Sequence, residues 1–216
     1  MSVRTLFVAA VTTGLTAACA SAPPPLLPVL DYAHQDCDAR PDLTTAISLT
    51  PEKESQVHRV STVVTDQTAC LSGDGGSSPY VVYALPGDTA DKTVIVGGLL
   101  EGQRIVSPSI TLLDGQGQVT RAFGAEDFLY RGSVYSVQFR PRDTEAYILV
   151  GVDRSRIGDN YDAINVGTNT TVISTGYTTS NWTTGTEART LRTFSWEGTI
   201  VVTVNDSDTK EAPDPA

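Results

Sequence analysis

Short apolar segments separated by Gly, Pro and Asp turns fill residues 80–152, and this pattern constrains the fold more than any other part of the sequence. Segments of this length are typical of single β-strands, and the residues between them are typical of tight turns. Many short strands at close spacing favour two antiparallel sheets packed face to face. The pattern therefore predicts an all-β fold, an antiparallel β-sandwich of jelly-roll-like type.

Individual strands are predicted where apolar residues alternate with polar ones or run without interruption. An unbroken apolar run over residues 146–152 predicts a central strand that is buried on both faces. Pro108 interrupts another strand, and Asp114-Gly115-Gln116-Gly117 predicts a hairpin turn. Phe128 is expected to anchor one helical turn at residues 126–130. The other predicted strands are 43–49, 57–64, 80–85, 93–96, 105–113, 119–123, 134–139 and 199–204.

Residues 153–191 differ in composition from the strands before them. They are rich in Thr, Asn, Gly and Ser and poor in aliphatic side chains. This composition predicts a long excursion from the sandwich, with one short helix near residues 155–162 and a weak hairpin around residues 171–177. After the last strand, the acidic tail at residues 206–216 is expected to be disordered.

The N-terminus has the three parts of a secretory signal. Arg4 supplies a positive charge, residues 6–15 are apolar, and Thr16-Ala17-Ala18 offers small residues for cleavage. The apolar run is too short to span a bilayer as a helix. Residues 1–18 are therefore predicted to be a signal peptide.

Cys19 follows these small residues directly, where bacterial lipoproteins carry the cysteine that receives a diacylglycerol. Thr16 stands where this motif usually has Leu, and the alternative is ordinary cleavage after Ala20-Ser21-Ala22. That cleavage would leave Pro23 as the first mature residue, which is unfavourable for signal peptidase. We expect acylation of Cys19, and Ala20 after it favours the outer membrane, facing the periplasm; a soluble periplasmic protein is the alternative.

The expected domain organisation follows from these signals and from the chain length of 216 residues, which suggests a single globular domain. Prolines dominate the residues after Cys19, so residues 19–30 are predicted to be an extended tether that holds the domain off the membrane. The β-sandwich domain is predicted to cover residues 31–205.

The charge of the chain excludes one class of partner. The formal net charge is −10 at pH 7, and the acidic residues are dispersed along the sequence. Dispersed carboxylates usually form a solvated surface, and an acidic protein repels the phosphate backbone of nucleic acids. Nucleic acid is therefore not expected as a partner.

Cys37 and Cys70 remain as an even pair if Cys19 is acylated. In an oxidising compartment such a pair is expected to form a disulfide. A metal or redox role would need CxxC spacing or histidines nearby, and the sequence has neither. We therefore predict a structural disulfide that links the N-terminal segment to the start of the core.

Four segments between residues 80 and 152 resemble a known family in their order and turn chemistry. They are Ala84-Leu85-Pro86, Ser107-Pro108-Ser109-Ile110-Thr111-Leu112-Leu113-Asp114, Glu126-Asp127-Phe128-Leu129-Tyr130 and Tyr147-Ile148-Leu149-Val150. The order resembles the maltose operon periplasmic protein family, MalM, and more distantly the β-sandwich modules called bacterial pre-peptidase C-terminal domains. The resemblance implies a protein of the cell envelope without enzymatic activity, linked to maltodextrin uptake.

Catalytic and metal-binding patterns are missing from the sequence. His34 and His58 are the only histidines, and no GxSxG motif is present, so hydrolysis through a Ser-His-acid triad is not expected. A cluster of possible oxygen ligands is present, but its spacing is not that of an EF-hand: Asp153, Asp159, Asn160 and Asp162. We therefore predict no enzyme activity, no cofactor and no metal site.

Three aromatic residues in the polar excursion, Tyr161, Tyr177 and Trp182, are the candidate ligand-binding residues. Flat rings next to Asn and Thr side chains suit sugars, which offer C–H groups on one face and hydroxyls at the rim. The alternative is that these rings attach the excursion to the sandwich. The sequence thus predicts a non-enzymatic envelope lipoprotein that handles carbohydrate, with a protein-binding module for assembly or surface attachment as the alternative.

Overall fold

The computed structural model describes residues 24–33, 36–53, 55–73, 76–174 and 179–207, and within residues 162–190 it describes the backbone alone. The predicted signal peptide, Cys19 and Tyr177 lie outside these residues. The described chain is almost entirely β-structure in two sheets that pack together, which confirms the predicted all-β sandwich. The finer jelly-roll-like assignment stays a prediction.

Fourteen strands follow one another along the described chain. They are β1 (Ile47–Ser48), β2 (Val57–Val64), β3 (Cys70–Leu71), β4 (Ser78–Ala84), β5 (Lys92–Glu101), β6 (Arg104–Val106), β7 (Pro108–Leu113), β8 (Val119–Phe123), β9 (Leu129–Arg131), β10 (Val134–Phe139), β11 (Tyr147–Val152), β12 (Asn160–Ser174), β13 (Thr179–Ser195) and β14 (Gly198–Asp206). Most of the predicted strands are confirmed by these positions.

The first sheet has the order β1-β4-β11-β7-β8, and β3 also pairs with β4. Strand β11 is central, as predicted, but only one of its faces is fully buried. Ile148, Val150 and Val152 are buried, whereas the residues between them are half-buried. The prediction of burial on both faces was wrong because the outer face of this sheet is covered only in part.

The second sheet is built around β5, which pairs with β14 along one edge and β10 along the other. The predicted strand at residues 93–96 was too short, since β5 continues through Gly97 and Gly98. A side chain is impossible at Gly97, because a Cβ there would lie 2.0 Å from the carbonyl oxygen of Tyr135. The two glycines let the backbones of neighbouring strands approach closely.

The core lies between the two sheets. It contains valines from β5 and β14 and aliphatic residues from β7 and β11, all shielded from solvent: Val94, Val96, Val202, Leu112, Ile148 and Val150. Each such side chain contributes about 1.5 to 3 kcal/mol when it is fully buried. Phe128 is also buried, as predicted, and Trp196 is buried as well.

The chain crosses from one sheet to the other at Ser107. The sequence predicted a single strand over residues 105–113, but β6 belongs to the second sheet and β7 to the first. Pro108 is the first residue of β7, a position where its missing N–H is tolerated. Ser107 itself donates to the carbonyl of Ser195 and accepts from the N–H of Asp153, which fixes the crossing point.

The excursion is a far longer hairpin than predicted. Strands β12 and β13 pair without interruption from Asn160 with Thr193 to Ser174 with Thr179. We call these two paired strands the ribbon. Among the residues that the structure describes, Thr193 to Ser195 are the part of the ribbon that pairs with the rest of the sheet, in parallel with β6. The short helix expected near residues 155–162 is a 3₁₀ turn, Arg154–Arg156.

Two predicted boundaries are corrected. Residues 43–49 form a 3₁₀ turn, Leu43–Thr45, followed by the short β1, because the Asp42 carboxylate accepts from the N–H of Thr44 and begins the turn. At the other end, Asp206 still belongs to β14 and its carboxylate lies 2.8 Å from Nζ of Lys92. The rest of the predicted tail, residues 208–216, lies outside the described residues.

The N-terminal segment 26–32, which we call the strap, is attached to the sandwich. Residues 26–30 belong to the predicted tether, yet they contact the domain that was predicted to begin at residue 31. Gln103 donates to the carbonyl of Leu26 at 3.0 Å, and Trp196 donates through its backbone N–H to Val29 and through Nε1 to Leu30. Gly102 makes room for the strap, because a Cβ there would lie 2.6 Å from the backbone nitrogen of Leu26.

The predicted disulfide between Cys37 and Cys70 is present. It joins the N-terminal segment to β3 and closes a loop with a sequence separation of 33 residues. In the chain-entropy description, a loop of this size stabilises the fold by about 3 to 4 kcal/mol. Within the described part of the chain, no helix has the length and apolar character needed to cross a membrane.

A buried ion pair joins β8 to the loop before β11. The side chain of Glu145 is fully buried and accepts from Nη2 of Arg121 at 2.8 Å, from Nε of Arg121 at 3.1 Å and from the N–H of Arg142 at 2.8 Å. The Arg121 guanidinium also stacks over the rings of Phe123 and Phe139. Every oxygen of this carboxylate therefore has a donor, as burial requires.

Replacing Arg121→Met should lower the free energy of unfolding by about 3 to 5 kcal/mol, because it leaves the Glu145 carboxylate buried and unpaired. Urea denaturation measures this loss. The double variant Arg121→Met with Glu145→Leu removes both charges and should recover most of the stability. A double variant as unstable as Arg121→Met would contradict this account.

Candidate functional site

The structure describes the side chain of one of the three candidate aromatic residues. Tyr161 lies at the base of the ribbon, in β12, opposite Arg192. Trp182 lies in β13, opposite Thr171, and only its backbone is described. Tyr177 lies outside the described residues. Their joint role in sugar binding therefore stays a prediction.

Tyr161 belongs to a cluster of aromatic rings at the ribbon base. Its ring centroid lies 5.0 Å from that of Tyr135, 6.2 Å from Phe194 and 6.3 Å from Tyr130. Tyr135 is the centre of the cluster, since it also stacks on Phe128 at 5.3 Å. Partial burial raises the pKa of Tyr161, so this residue is a neutral phenol at physiological pH.

Two arginines of the 3₁₀ turn stack on two aromatic residues at the end of β13. The guanidinium of Arg156 lies 4.0 Å from the ring centroid of Phe194, and that of Arg154 lies 5.5 Å from the Trp196 ring. The two arginines are two residues apart in the chain, and so are the two aromatic residues. The turn and the strand therefore match in spacing. Nη1 of Arg156 also donates to the Tyr135 hydroxyl at 2.7 Å. These contacts hold Arg156 in one orientation.

Gly76 gives Arg154 the space it occupies. The backbone of Gly76 has a φ of +101°, and a Cβ there would lie 1.8 Å from Nη1 of Arg154. A side chain at position 76 would therefore displace the guanidinium. The segment before β4 therefore contributes directly to the site through Gly76.

A cleft of about 310 Å³ opens beside these arginines. Its lining includes two phenylalanines, Phe123 and Phe128, and two arginines, Arg154 and Arg156. Its volume is at the lower end of the range for small-molecule sites. Phe128 and Arg156 belong both to the cleft and to the aromatic cluster, so the cleft adjoins Tyr161.

Carboxylates at the edge of the cleft offset the positive charge of the two arginines. Asp153 lines the cleft, and its carboxylate accepts from the N–H and hydroxyl of Ser155. Asp127 accepts from the N–H of Gly124, and the Glu126 carboxylate lies close to the same glycine. Among the described residues, no salt bridge joins these carboxylates to Arg154 or Arg156. The cleft therefore offers both hydrogen-bond donors and acceptors next to aromatic rings.

The sequence indicated Tyr161 but missed Arg154, Arg156 and Phe128 as parts of one site. No motif joins these residues, since the two arginines come from one turn and Phe128 comes from another part of the chain. They meet through the pairing of β13 with β6. Within the part of the chain that the structure describes, no group of three or more His, Cys, Asp or Glu side chains is placed to hold a metal ion.

Replacing Tyr161→Ala should loosen the ribbon base, because the aromatic contacts to Tyr135 and Phe194 are lost. Aromatic pairs contribute about 0.5 to 1.5 kcal/mol each, so the free energy of local opening should fall by about 1 to 3 kcal/mol. Amide hydrogen exchange at residues 160–162 and 191–194 measures this change. Tyr161→Phe keeps the ring and serves as the control; equal exchange rates in both variants would contradict an attachment role.

Comparison with known proteins assigns this chain to no family. No protein-family model, no curated protein and no solved structure matches it. The chemistry of the cleft and the architecture of the ribbon are therefore the basis for its functional interpretation.

Proposed function

We propose that this chain is a non-enzymatic lipoprotein of the cell envelope that binds carbohydrate in the cleft at the ribbon base. The observation that carries the proposal is the combination of two phenylalanines, two arginines and an aspartate in the lining of one cleft of about 310 Å³. Sugars present C–H faces to rings and hydroxyls to both donors and acceptors. The resemblance to the MalM family supports a maltodextrin-type ligand.

The position of the protein forms part of the same proposal. Acylation of Cys19 would anchor the chain to the outer membrane, facing the periplasm, where soluble glycans pass. A protein that only binds needs no catalytic residues, in keeping with the absence of a catalytic motif from the sequence. Binding in this compartment would assist the handling or transport of sugars.

Maltodextrins and other glycans should raise the melting temperature of the mature protein if the cleft binds them. A ligand at 100 times its dissociation constant adds about 2.7 kcal/mol to the stability of the folded state. Arg154→Gln should remove this gain, because Arg154 supplies donors to the cleft. Thermal unfolding monitored by circular dichroism measures the shift.

The matched control is Arg59→Gln, since Arg59 is an exposed arginine on β2, away from the cleft. Trp182→Ala tests separately whether the ribbon adds to the glycan site. The proposal fails if no glycan shifts the melting curve, or if Arg59→Gln abolishes the shift as fully as Arg154→Gln.

The ribbon favours a second candidate function, assembly with other proteins. At about 3.4 Å per residue, its strands extend for roughly 50 Å. From Ala163 to Thr186 the sequence has no charged residue and no proline, the two features that usually protect an exposed strand edge. Among the described residues, β12 pairs with β13 alone, so its other edge offers backbone groups to an added strand.

Replacing residues 166–187 by Asn-Gly tests this second function. The new turn would join Asn165 to Ala188, which are already paired, so the sandwich should keep its melting temperature. Sedimentation velocity should show concentration-dependent association of the intact protein and a monomer for the shortened one. Thr168→Lys, which places a charge on β12, should act like the shortening. An intact protein that stays monomeric at all concentrations would contradict assembly between copies.

A further inference from the structure

The strap presents leucine side chains to solvent. Leu26, Leu27 and Leu30 are 48%, 63% and 49% exposed, although each is a large apolar residue. Val29 and Tyr32 of the same segment are half-buried, and Tyr32 stacks on Trp196 at 5.0 Å. The strap therefore has an inner side that packs on the sandwich and an outer side that carries leucines. We call these three leucines the leucine patch.

The leucine patch is fixed in place by the strap's attachment. Val29 donates to the Ser195 hydroxyl at 2.8 Å and accepts from the N–H of Trp196 at 3.0 Å, which holds the residues on either side of it. The carbonyls of Leu26 and Leu30 accept hydrogen bonds from Gln103 and Trp196, so both ends of the patch are held on the sandwich. The patch is therefore a defined apolar surface.

The chain length between the patch and Cys19 limits how far the two can separate. Leu26 is the seventh residue after Cys19, and seven residues span at most about 25 Å when fully extended. The headgroup region of a bilayer leaflet is about 5 to 8 Å thick. A lipid on Cys19 would therefore hold the patch within reach of the membrane surface.

We propose that the leucine patch inserts into the headgroup region of the bilayer that holds the acylated Cys19, so that the strap fixes the sandwich against the membrane. The proposal rests on the proposed lipid anchor. It replaces the expected role of residues 19–30 as a free spacer, because the strap is bound to the domain from Leu26 onward.

The charges around the strap favour a neutral, apolar contact with lipid. Asp31 is exposed beside the patch, and the Glu197 carboxylate is bound to Arg104 at 3.0 Å. With a net charge of −10, the protein gains nothing from anionic headgroups. The patch should therefore bind zwitterionic lipid at least as well as anionic lipid, with little dependence on salt.

Flotation with vesicles of phosphatidylcholine tests the patch without the lipid anchor. The protein is the mature chain from residue 19 with Cys19→Ser, with or without Leu27→Ser and Leu30→Ser. Removing two leucines should weaken vesicle binding about tenfold or more. The matched control is Val57→Ser with Val63→Ser, since these valines are 54% and 60% exposed on β2, and this control should bind as the parent does.

Spin labelling tests the acylated protein itself. A nitroxide on Leu27→Cys, in protein reconstituted into the same vesicles, should be relaxed by oxygen more than by a water-soluble nickel chelate. A nitroxide on Val63→Cys should show the reverse. A label at residue 27 that stays in water, leucine variants that float like the parent, or a leucine-dependent dimer without vesicles would each overturn the proposal.

Mass spectrometry of the mature N-terminus separates the two proposals. If Cys19 carries no lipid, the proposed anchor fails, while flotation still decides whether the leucine patch binds a bilayer. If Cys19 is acylated and the label at residue 27 stays in water, the anchor stands and the patch proposal fails.

Discussion

The close approach of backbones at Gly97 and Gly98 is the constraint on which the second sheet depends. Strand β5 must pair with β10 and β14 at the same residues, and a Cβ at Gly98 would lie only 2.6 Å from the carbonyl oxygen of Val106. Strand β6 follows β5 directly and carries the base of the ribbon. The two glycines therefore determine where Phe194 and Trp196 lie. They also determine where the arginines stacked on these rings lie.

The strands that could be predicted from the sequence are those whose burial alternates or runs unbroken, such as β2, β10 and β14. Prediction failed where tertiary contacts determine the extent of a strand. Gly97 and Gly98 are typical of a strand end, yet they continue β5 because neighbouring backbones need the space. The length of the ribbon could not be predicted, because its sequence has no apolar periodicity and its many Thr, Asn and Gly residues are typical of loops.

The residues of the candidate site also divide into one that could be predicted from the sequence and others that could not. Tyr161 was indicated by its ring in a polar segment, and the structure adds its contacts with Tyr135 and Phe194. Arg154 and Arg156 could not be predicted, since an isolated arginine in a sequence is usually a solvated surface residue. Their role depends on a spacing that matches that of the aromatic residues at the end of β13. The turn and this strand meet only because the chain crosses from one sheet to the other at Ser107.

The disulfide has a mechanical consequence for an anchored protein. Once the hydrogen bonds of the strap have opened, a pull on the N-terminus reaches Cys37 and passes through the covalent bond to Cys70, in β3. Residues 38–69 lie outside this path and carry no tension, although they include β2, an edge strand of the second sheet. The load enters instead at β4, in the interior of the first sheet, and does not pass through β2.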